Sequence, residues 1–435
     1  MIKNRIRAAA KALLGKGGAS VTANVGGIWT GYTDDALQLA EIIDCKLEDL
    51  CQPQQHPERV ATEPADRICA WYLPCFDNPF YGGVMTILRL AESLKRRYGM
   101  HQRFLICGSA DAAHMQGMLG KAFPALKDSE VLILDSGEAI KSIPVADYSV
   151  ATLWTTAYVL LNVRNTGLKF YMMQDFEPAF YPAGSTYAQA ELTYRFGFLG
   201  ICNTQTLKRI YEEEYGGSAV LLQPNVDRSV FFRDSAGRDD AALVKRLFYY
   251  ARPGTPRNGF ELAAAGLRRV KARFGEQVQI LCAGTGWNPA DYGLQDVVES
   301  IGMLPYRETA NLYRSCHVGF VMMMTKHPSY LPFELMACGT TVVTNYNEAN
   351  TWLLRDGSNC LLAPPSASCL AQTLIFALEN HQQLQSIRDV ASEEIQSMPN
   401  WDQSLERVAD FMQRPILKDF VPSFGERFFD ARKHS

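Results

Sequence analysis

The sequence predicts an α/β protein built from two Rossmann-like, doubly wound domains that face a central cleft. Three observations support this: the length of the chain, two successive series of strands and helices, and a charged stretch between the two series. At 435 residues the chain exceeds what one hydrophobic core usually spans, so two domains are expected. Short apolar strands that alternate with amphipathic helices are typical of parallel sheets covered on both faces.

The two series of strands give the domain boundaries. The first domain is predicted at residues 66–232, after a polar, proline-bearing stretch, 1–65, that is interpreted as a leader and linker. The charged segment FRDSAGRDDAALVK follows the first series and is the predicted interdomain linker. The second domain is predicted at residues 240–413. Ligands bind parallel sheets where the strands end in loops, so functional residues are expected in those loops.

Composition and charge exclude several functional classes. A formal net charge of -3 gives no electrostatic footprint for nucleic acid. No apolar run approaches the ~20 residues of a transmembrane helix. The 11 cysteines are scattered without a C-x-x-C pair, which favours free thiols in a reducing, cytoplasmic compartment. The seven histidines lack the spacing of metal ligands, so no metal site is expected.

The N-terminal residues, MIKNRIRAAAKALLGKGG, interleave basic and apolar side chains. Lys11 interrupts the apolar stretch that a secretory signal needs. One interpretation is a short helix on an anionic membrane surface. The other, which the modest amphipathicity favours, is a solvated or packed leading helix. The protein is therefore expected in the cytoplasm, with peripheral contact at the inner face of the membrane as the open alternative.

The segment HPSYLPFELMACGTTVVTN, 327–345, is the most informative in the chain. It predicts a turn, a short helix with Pro332 near its start, and a strand after Gly339. Ser329 is the expected N-cap, and the free backbone N–H groups of a helix start suit an anionic diphosphate. Glu334, one turn into the helix, suits the two hydroxyls of a ribose. By spacing alone, an acid favoured by the helix dipole is the better explanation.

This segment resembles the donor site of the family 4 glycosyltransferases. The matching positions are Glu334, Met336, Ala337, Cys338, Gly339, Val342 and Val343. LLQPNVD resembles the Pro-Asn-Gly-Val-Asp segment of the same family. The segments MQDFEPAFYPAG, FYYARPGTPRNGFEL and HPSYLPFE narrow the resemblance to rhamnosyltransferases of the WsaF type, over roughly residues 67–390. The resemblance implies a GT-B fold and metal-independent transfer from a nucleotide-diphosphate sugar, with dTDP-rhamnose as the expected donor and no cofactor.

One departure from the family concerns the sugar. The family carries a second glutamate eight positions before the ribose-binding one, but this chain has Lys326 there, followed by His327. A lysine cannot accept the hydrogen bonds that a carboxylate accepts, so the sugar contacts must differ. Contact with a phosphate and a solvated position in the loop are the two alternatives for Lys326.

Arg252 and Arg257 are the predicted leaving-group contacts. Both lie in a strand-to-helix loop, where they would place positive charge against the departing diphosphate. By the resemblance, Ala251 and Arg252 occupy the place of the family's Gly-Arg pair, and Arg257 substitutes for the lysine of its Lys-Gly pair. A pair with a surface acid is the alternative for either arginine.

Further donor contacts are expected from other loops of the second domain. Gly284 lies in a G-x-G turn after a strand, which is too weak a match for a dinucleotide fingerprint but suits a loop near the donor. The resemblance implies that the backbone at Met303 and Leu304 pairs with the nucleobase, and it adds Ser329 and Tyr330 to the donor site.

The first-domain side of the cleft is expected to hold the sugar and the acceptor. Gly82 and Gly83 resemble the family's paired glycines, and such a pair lets a ligand approach the backbone closely or simply forms a tight turn. Gly83 is assigned to the donor, and Gly82 and Asp77 to the acceptor. Gln174 and Asp175 end a strand and by the resemblance face the sugar, where a carboxylate orients the acceptor or acts as base. A turn or N-cap role is the alternative for Asp175.

The resulting hypothesis is transfer of L-rhamnose, with retention, onto a cell-surface polysaccharide or glycan, a lipid-linked acceptor being one candidate. Gln174, Asp175 and Arg252 are the expected catalytic residues. As in other GT-B proteins, the C-terminal segment 414–435 is expected to cross back to the first domain, a disordered tail being the alternative. A GT-B nucleotide-sugar epimerase and a non-catalytic GT-B scaffold are the competing classes, and the oligomeric state stays open.

Overall fold

The computed structural model describes residues 36–234 and 237–418 and confirms two domains, each built on a parallel sheet. The strands of the first sheet are β1 (Ile68–Pro74), β2 (His101–Cys107), β3 (Glu130–Leu134), β4 (Ala146–Ala151), β5 (Thr166–Met173), β6 (Leu199–Cys202) and β7 (Ser218–Leu221). Those of the second are β8 (Lys245–Tyr250), β9 (Val278–Ala283), β10 (Glu299–Gly302), β11 (Val318–Val321), β12 (Thr341–Asn345) and β13 (Leu361–Ala363). Their orders, β3-β2-β1-β4-β5-β6-β7 and β10-β9-β8-β11-β12-β13, are those of doubly wound folds.

Helices alternate with these strands. In the first half of the chain they are α1 (Ala36–Ile43), α2 (Leu47–Leu50), α3 (Gly82–Tyr98), α4 (Ala112–Ala122), α5 (Gly137–Lys141), α6 (Trp154–Leu161), α7 (Ser185–Leu192) and α8 (Gln205–Glu213). In the second half they are α9 (Phe260–Phe274), α10 (Tyr306–Ser315), α11 (Leu331–Ala337), α12 (Ala367–Glu379), α13 (Gln385–Ser397) and α14 (Trp401–Gln413).

The central strands are buried on both faces, as a parallel sheet between two layers of helices requires. Trp71 and Tyr72 are neighbours on β1, so their side chains point to opposite faces, and both are fully buried. Phe170 and Tyr171 repeat this pattern on β5. The apolar character of these strands therefore reflects two separate cores, one on each side of the sheet.

Two expectations from composition can be compared with the described part of the chain. All 11 cysteines are free, as their scattered positions predict. Within residues 36–234 and 237–418, no helix has the length and apolarity needed to cross a membrane.

The last described helix belongs to the first domain, which corrects the predicted boundary at residue 413. Leu405, Val408, Ala409 and Met412 form one face of α14 and pack into the core between α3 and the first sheet. The element that crosses back is therefore α14 itself. Of the tail 414–435, the described residues also reach this domain, because Lys418 Nζ donates to the carbonyl oxygen of Gly217 at 2.6 Å. Residues 419–435 lie outside the described residues.

The prediction of a leader and linker over residues 1–65 is wrong for the described part, which packs on the first domain. Gln55 Oε1 accepts from the backbone N–H of Lys169 at 2.9 Å, and Gln54 Oε1 accepts from the buried Lys169 Nζ at 2.9 Å. The backbone N–H of His56 donates to the carbonyl oxygen of Gly167 at 2.8 Å. These polar side chains satisfy groups of β5, which composition alone cannot indicate. The basic N-terminus lies outside the described residues.

The interdomain connection also comes earlier than the predicted linker. Val226, Val230 and Phe231 already pack into a core of the second domain. Phe231 lies with its ring centroid 5.2 Å from that of Tyr306. Within the charged stretch, Arg238 donates to the carbonyl oxygen of Cys316 at 2.8 Å. The charges of this segment therefore bind it to the second domain instead of marking a free linker.

Candidate functional site

A cavity of about 450 Å³ lies between the two domains. It is lined by residues at the carboxyl ends of β1, β4, β5 and β6 in the first domain and of β8 and β11 in the second. Such strand ends are where parallel sheets bind ligands. The structure thus brings together loops that are far apart in the sequence.

The start of α3 and the end of β5 form one wall of this cavity. Gln174 Nε2 donates to the carbonyl oxygen of Gly83 at 3.0 Å, while Gln174 Oε1 is buried and has no hydrogen-bond partner in the described part of the chain. A Cβ atom on Gly83 would lie 3.4 Å from Gln174 Nε2, and one on Gly82 would lie 3.1 Å from the ring of Tyr330. The glycine pair therefore lets α3 approach both side chains. Asp77, which is exposed, lies at the rim.

Asp175 lines the cavity and joins the two domains. Its Oδ2 accepts from the hydroxyl of Thr325, in the second domain, at 2.6 Å, and its Oδ1 accepts from the N–H of Phe176 at 2.8 Å. Burial raises the pKa of Asp175 to about 6, although these hydrogen bonds oppose the shift. Both oxygens already have donors, which suits a residue that positions the two walls. The base role of Asp175 stays a prediction.

Glu177 is a cavity residue that was not singled out from the sequence. Its side chain is buried, and Oε2 accepts from the backbone N–H of Trp154 at 2.5 Å and from the hydroxyl of Tyr171 at 2.8 Å. Burial raises its pKa to about 8. The sequence contains one indication of this residue: in MQDFEP, Glu177 is a second acid shortly after an apolar strand. Acids in such positions are usually solvated, so the sequence alone does not predict its burial.

Arg252 and Arg257 both line the cavity, from the loop between β8 and α9. The guanidinium carbon of Arg257 lies 4.5 Å from the ring centroid of Phe180. Arg252 Nη1 lies 3.5 Å from the hydroxyl of Tyr250. Across the described residues neither arginine forms an ion pair with a carboxylate, so both charges are available to an anion.

The prediction that Ser329 caps the helix is wrong. Ser329 has a φ of 69°, and α11 begins at Leu331 after Tyr330. Ser329 lies in the left-handed region and uses its backbone N–H to donate to His327 Nδ1 at 2.8 Å, so it forms the turn before the helix. Ser329 nevertheless lines the cavity.

Tyr330 also lines the cavity and contacts the first domain. Its hydroxyl lies 2.7 Å from the hydroxyl of Thr86, on α3. Lys326, in contrast, is exposed and absent from the cavity lining, while the next residue, His327, lines it. At the place where the chain departs from the family, the neighbouring imidazole of His327 therefore lines the cavity instead of the side chain of Lys326.

Four predicted donor residues lie outside this cavity. Glu334 is half-buried on α11, and burial raises its pKa to about 8. Gly284 donates its N–H to the carbonyl oxygen of Gly302 at 3.2 Å, which places it beside Met303 and Leu304 at the ends of adjacent strands. Met303 is 55% exposed. Their contacts with a nucleotide stay predictions.

No group of three or more His, Cys, Asp or Glu side chains suited to a metal ion occurs in residues 36–234 and 237–418. The two walls of the cavity offer cationic, amide, imidazole and carboxyl groups. Such a set suits an anionic ligand that also carries hydroxyl groups.

Two facing Rossmann-like domains with a cavity at their strand ends define, in architecture, the class of GT-B glycosyltransferases. HepE of Anabaena, solved in complex with UDP and glucose, is similar with a TM-score of 0.61 and 16% identity, over 79% of this chain and 99% of HepE. WaaG, a glycosyltransferase involved in lipopolysaccharide biosynthesis, gives a TM-score of 0.58 and 13% identity, over 79% and 99%. At these identities the similarity shows the fold.

The family follows from the sequence matches. The model of the WsaF N-terminal domain matches residues 74–205, and that of the WsaF C-terminal domain matches residues 245–375. The chain belongs to the WsaF family. It is also 38% identical over 340 residues to the O-antigen biosynthesis protein RfbC of Myxococcus xanthus. That match covers 78% of this chain but only 26% of RfbC, so the chain spans about a quarter of this relative.

Proposed function

We propose that this protein is a glycosyltransferase that moves L-rhamnose from dTDP-rhamnose onto a cell-surface polysaccharide or glycan, without a metal ion and with retention at the anomeric carbon. The observation that supports glycosyl transfer best is that Arg252 and Arg257 line the interdomain cavity and form no salt bridge with a carboxylate among the described residues. The choice of rhamnose rests on the resemblance to WsaF-type enzymes, and polysaccharide synthesis is supported by the relative RfbC.

The residues that line the cavity suggest separate roles in this reaction. The bond between the anomeric carbon and the diphosphate oxygen breaks, and Arg252 and Arg257 stabilise the charge that develops on the leaving group. An acceptor hydroxyl attacks the anomeric carbon, and its proton leaves with the departing phosphate or with a nearby base. Gln174 and Asp175 orient the sugar from the other wall. An acceptor would enter at the exposed rim, where Asp77 lies.

The donor is tested by isothermal titration calorimetry with dTDP, dTDP-rhamnose, UDP and UDP-glucose. We expect dTDP-rhamnose to bind, and dTDP release to require a glycan acceptor. Binding of UDP-glucose but not of dTDP-rhamnose would refute the rhamnose assignment. Inversion of the sugar without any acceptor would indicate an epimerase, and absence of all nucleotide binding would indicate a scaffold.

The ribose contact gives a narrower prediction. Glu334→Ala is expected to weaken binding of dTDP-rhamnose by about 1–3 kcal/mol, because the hydrogen bonds between its carboxyl group and the ribose hydroxyls are lost. Calorimetry checks this, with Glu308→Ala, an exposed acid at the start of α10, as the matched control. Glu334 lies outside the cavity lining. Unchanged affinity of Glu334→Ala for dTDP-rhamnose would show that Glu334 does not belong to the donor site.

A further inference from the structure

His327 carries a polar atom that the protein itself does not use. The side chain is 4% exposed and lines the interdomain cavity. Its Nδ1 accepts from the backbone N–H of Ser329 at 2.8 Å, which fixes the orientation of the ring. In the neutral imidazole the proton must then reside on Nε2, and Nε2 is buried without a partner among residues 36–234 and 237–418. The ring therefore holds an unused N–H donor.

The surroundings of His327 keep this donor neutral. Burial lowers its pKa to about 3, because a charged imidazole would lose its hydration. The same cavity is also lined by the cationic side chains Arg252 and Arg257. An unpartnered N–H donor in this position suits a neutral ligand oxygen, while the arginines serve the anionic part of a ligand.

The opposite domain supplies an unused acceptor to the same cavity. Gln174 Oε1 is buried, and no described residue donates to it; the amide is held in place because its Nε2 donates to the carbonyl oxygen of Gly83. A hydroxyl is the common ligand group that both accepts and donates a hydrogen bond. A polyhydroxylated ring between the two walls would satisfy both His327 and Gln174.

We infer that His327 is a specificity-determining residue that donates from Nε2 to a ring hydroxyl of the transferred sugar, with Gln174 accepting from a sugar hydroxyl on the facing wall. This rests on the proposed function, because it places the sugar of a nucleotide donor in the cavity. The sugar selected is neutral at that position, since a protonated amine cannot accept from an N–H. The imidazole thus takes over a sugar contact at the place where Lys326 interrupts the family pattern.

The test separates sugar recognition from nucleotide recognition. In His327→Asn, the shorter side chain keeps an oxygen that can accept from the N–H of Ser329, as in an Asx turn, but has no atom at the place of Nε2. His327→Gln extends an amide towards that place. The affinities of dTDP and dTDP-rhamnose are measured by calorimetry for the wild type, both variants, and His114→Asn, an exposed control histidine.

We expect the wild type to bind dTDP-rhamnose more tightly than dTDP, and His327→Asn to weaken dTDP-rhamnose about 10-fold while leaving dTDP unchanged. His327→Gln should recover part of the loss, and His114→Asn should behave as the wild type. Unchanged affinity of His327→Asn for dTDP-rhamnose would overturn the inference and leave the proposed function standing. If His327→Asn lost the same affinity for dTDP as for dTDP-rhamnose, the inference would also be overturned. The loss would then come from a disturbed turn at residues 327–329 and not from a missing sugar contact. If the wild type bound neither compound, the proposed function would fail as well.

Discussion

Arg252→Ala is expected to lower the rate of dTDP release from dTDP-rhamnose about 10²–10³-fold, and Arg257→Ala to act in the same direction. Both guanidinium groups line the interdomain cavity without a carboxylate partner among the described residues. Removal of a charge that stabilises a leaving group costs roughly 2.7–4 kcal/mol in the transition state. The measurement is steady-state dTDP release with a glycan acceptor present.

The controls for this prediction use the same domain. Arg269→Ala removes an exposed arginine on α9 and should leave the rate unchanged. Arg252→Lys keeps the positive charge but cannot form bidentate hydrogen bonds to a phosphate. Its rate should therefore lie between those of the wild type and Arg252→Ala. If both cavity arginines could be replaced by alanine without loss of rate, leaving-group stabilisation would have to come from elsewhere.

Met412→Ala is expected to destabilise the first domain by about 2–5 kcal/mol. Met412 lies on α14 and is fully buried in the core that also contains Trp71 and Phe170. Deleting a buried side chain of this size loses its transfer free energy and leaves a cavity. The free energy of unfolding is measured by urea denaturation, with tryptophan fluorescence as the signal.

This prediction also tests the assignment of α14 to the first domain. Asp410→Ala, an exposed substitution on the same helix, should leave the unfolding free energy within about 0.5 kcal/mol of the wild type. Trp71 and Trp154 report on the first domain, and Trp287 and Trp352 on the second. If Met412→Ala shifted only the unfolding transition of the second domain, the assignment of α14 to the first domain would be wrong.

The loops of the cavity were largely predictable. An apolar strand followed by Gln174 and Asp175, and another followed by Arg252, place polar side chains at strand ends, where a parallel sheet binds ligands. The structure puts these residues in one cavity. Family resemblance places Glu334, Met303 and Leu304 in the donor site, and the G-x-G turn adds Gly284. All four residues lie outside this cavity lining.

The remaining features depend on partners that are remote in the sequence. The hydrogen bond between Thr325 and Asp175 joins residues 150 positions apart, and the contact between Thr86 and Tyr330 joins residues 244 positions apart. Ser329 was expected as a helix cap because of its residue type, but the bond from its N–H to His327 Nδ1 turns the backbone into the left-handed region. Local preference was overridden by this turn.

The sequence by itself determined the two parallel sheets and the strand ends that carry the candidate site, because hydrophobic periodicity and strand-to-helix loops are local properties. Only the tertiary structure decided that α14 packs on the first domain, that Glu177 is buried, and that His327 lines the cavity with a buried Nε2 that has no partner among the described residues. Burial is a property of how distant segments pack, and it is burial that raises the pKa of Glu177 and keeps His327 neutral.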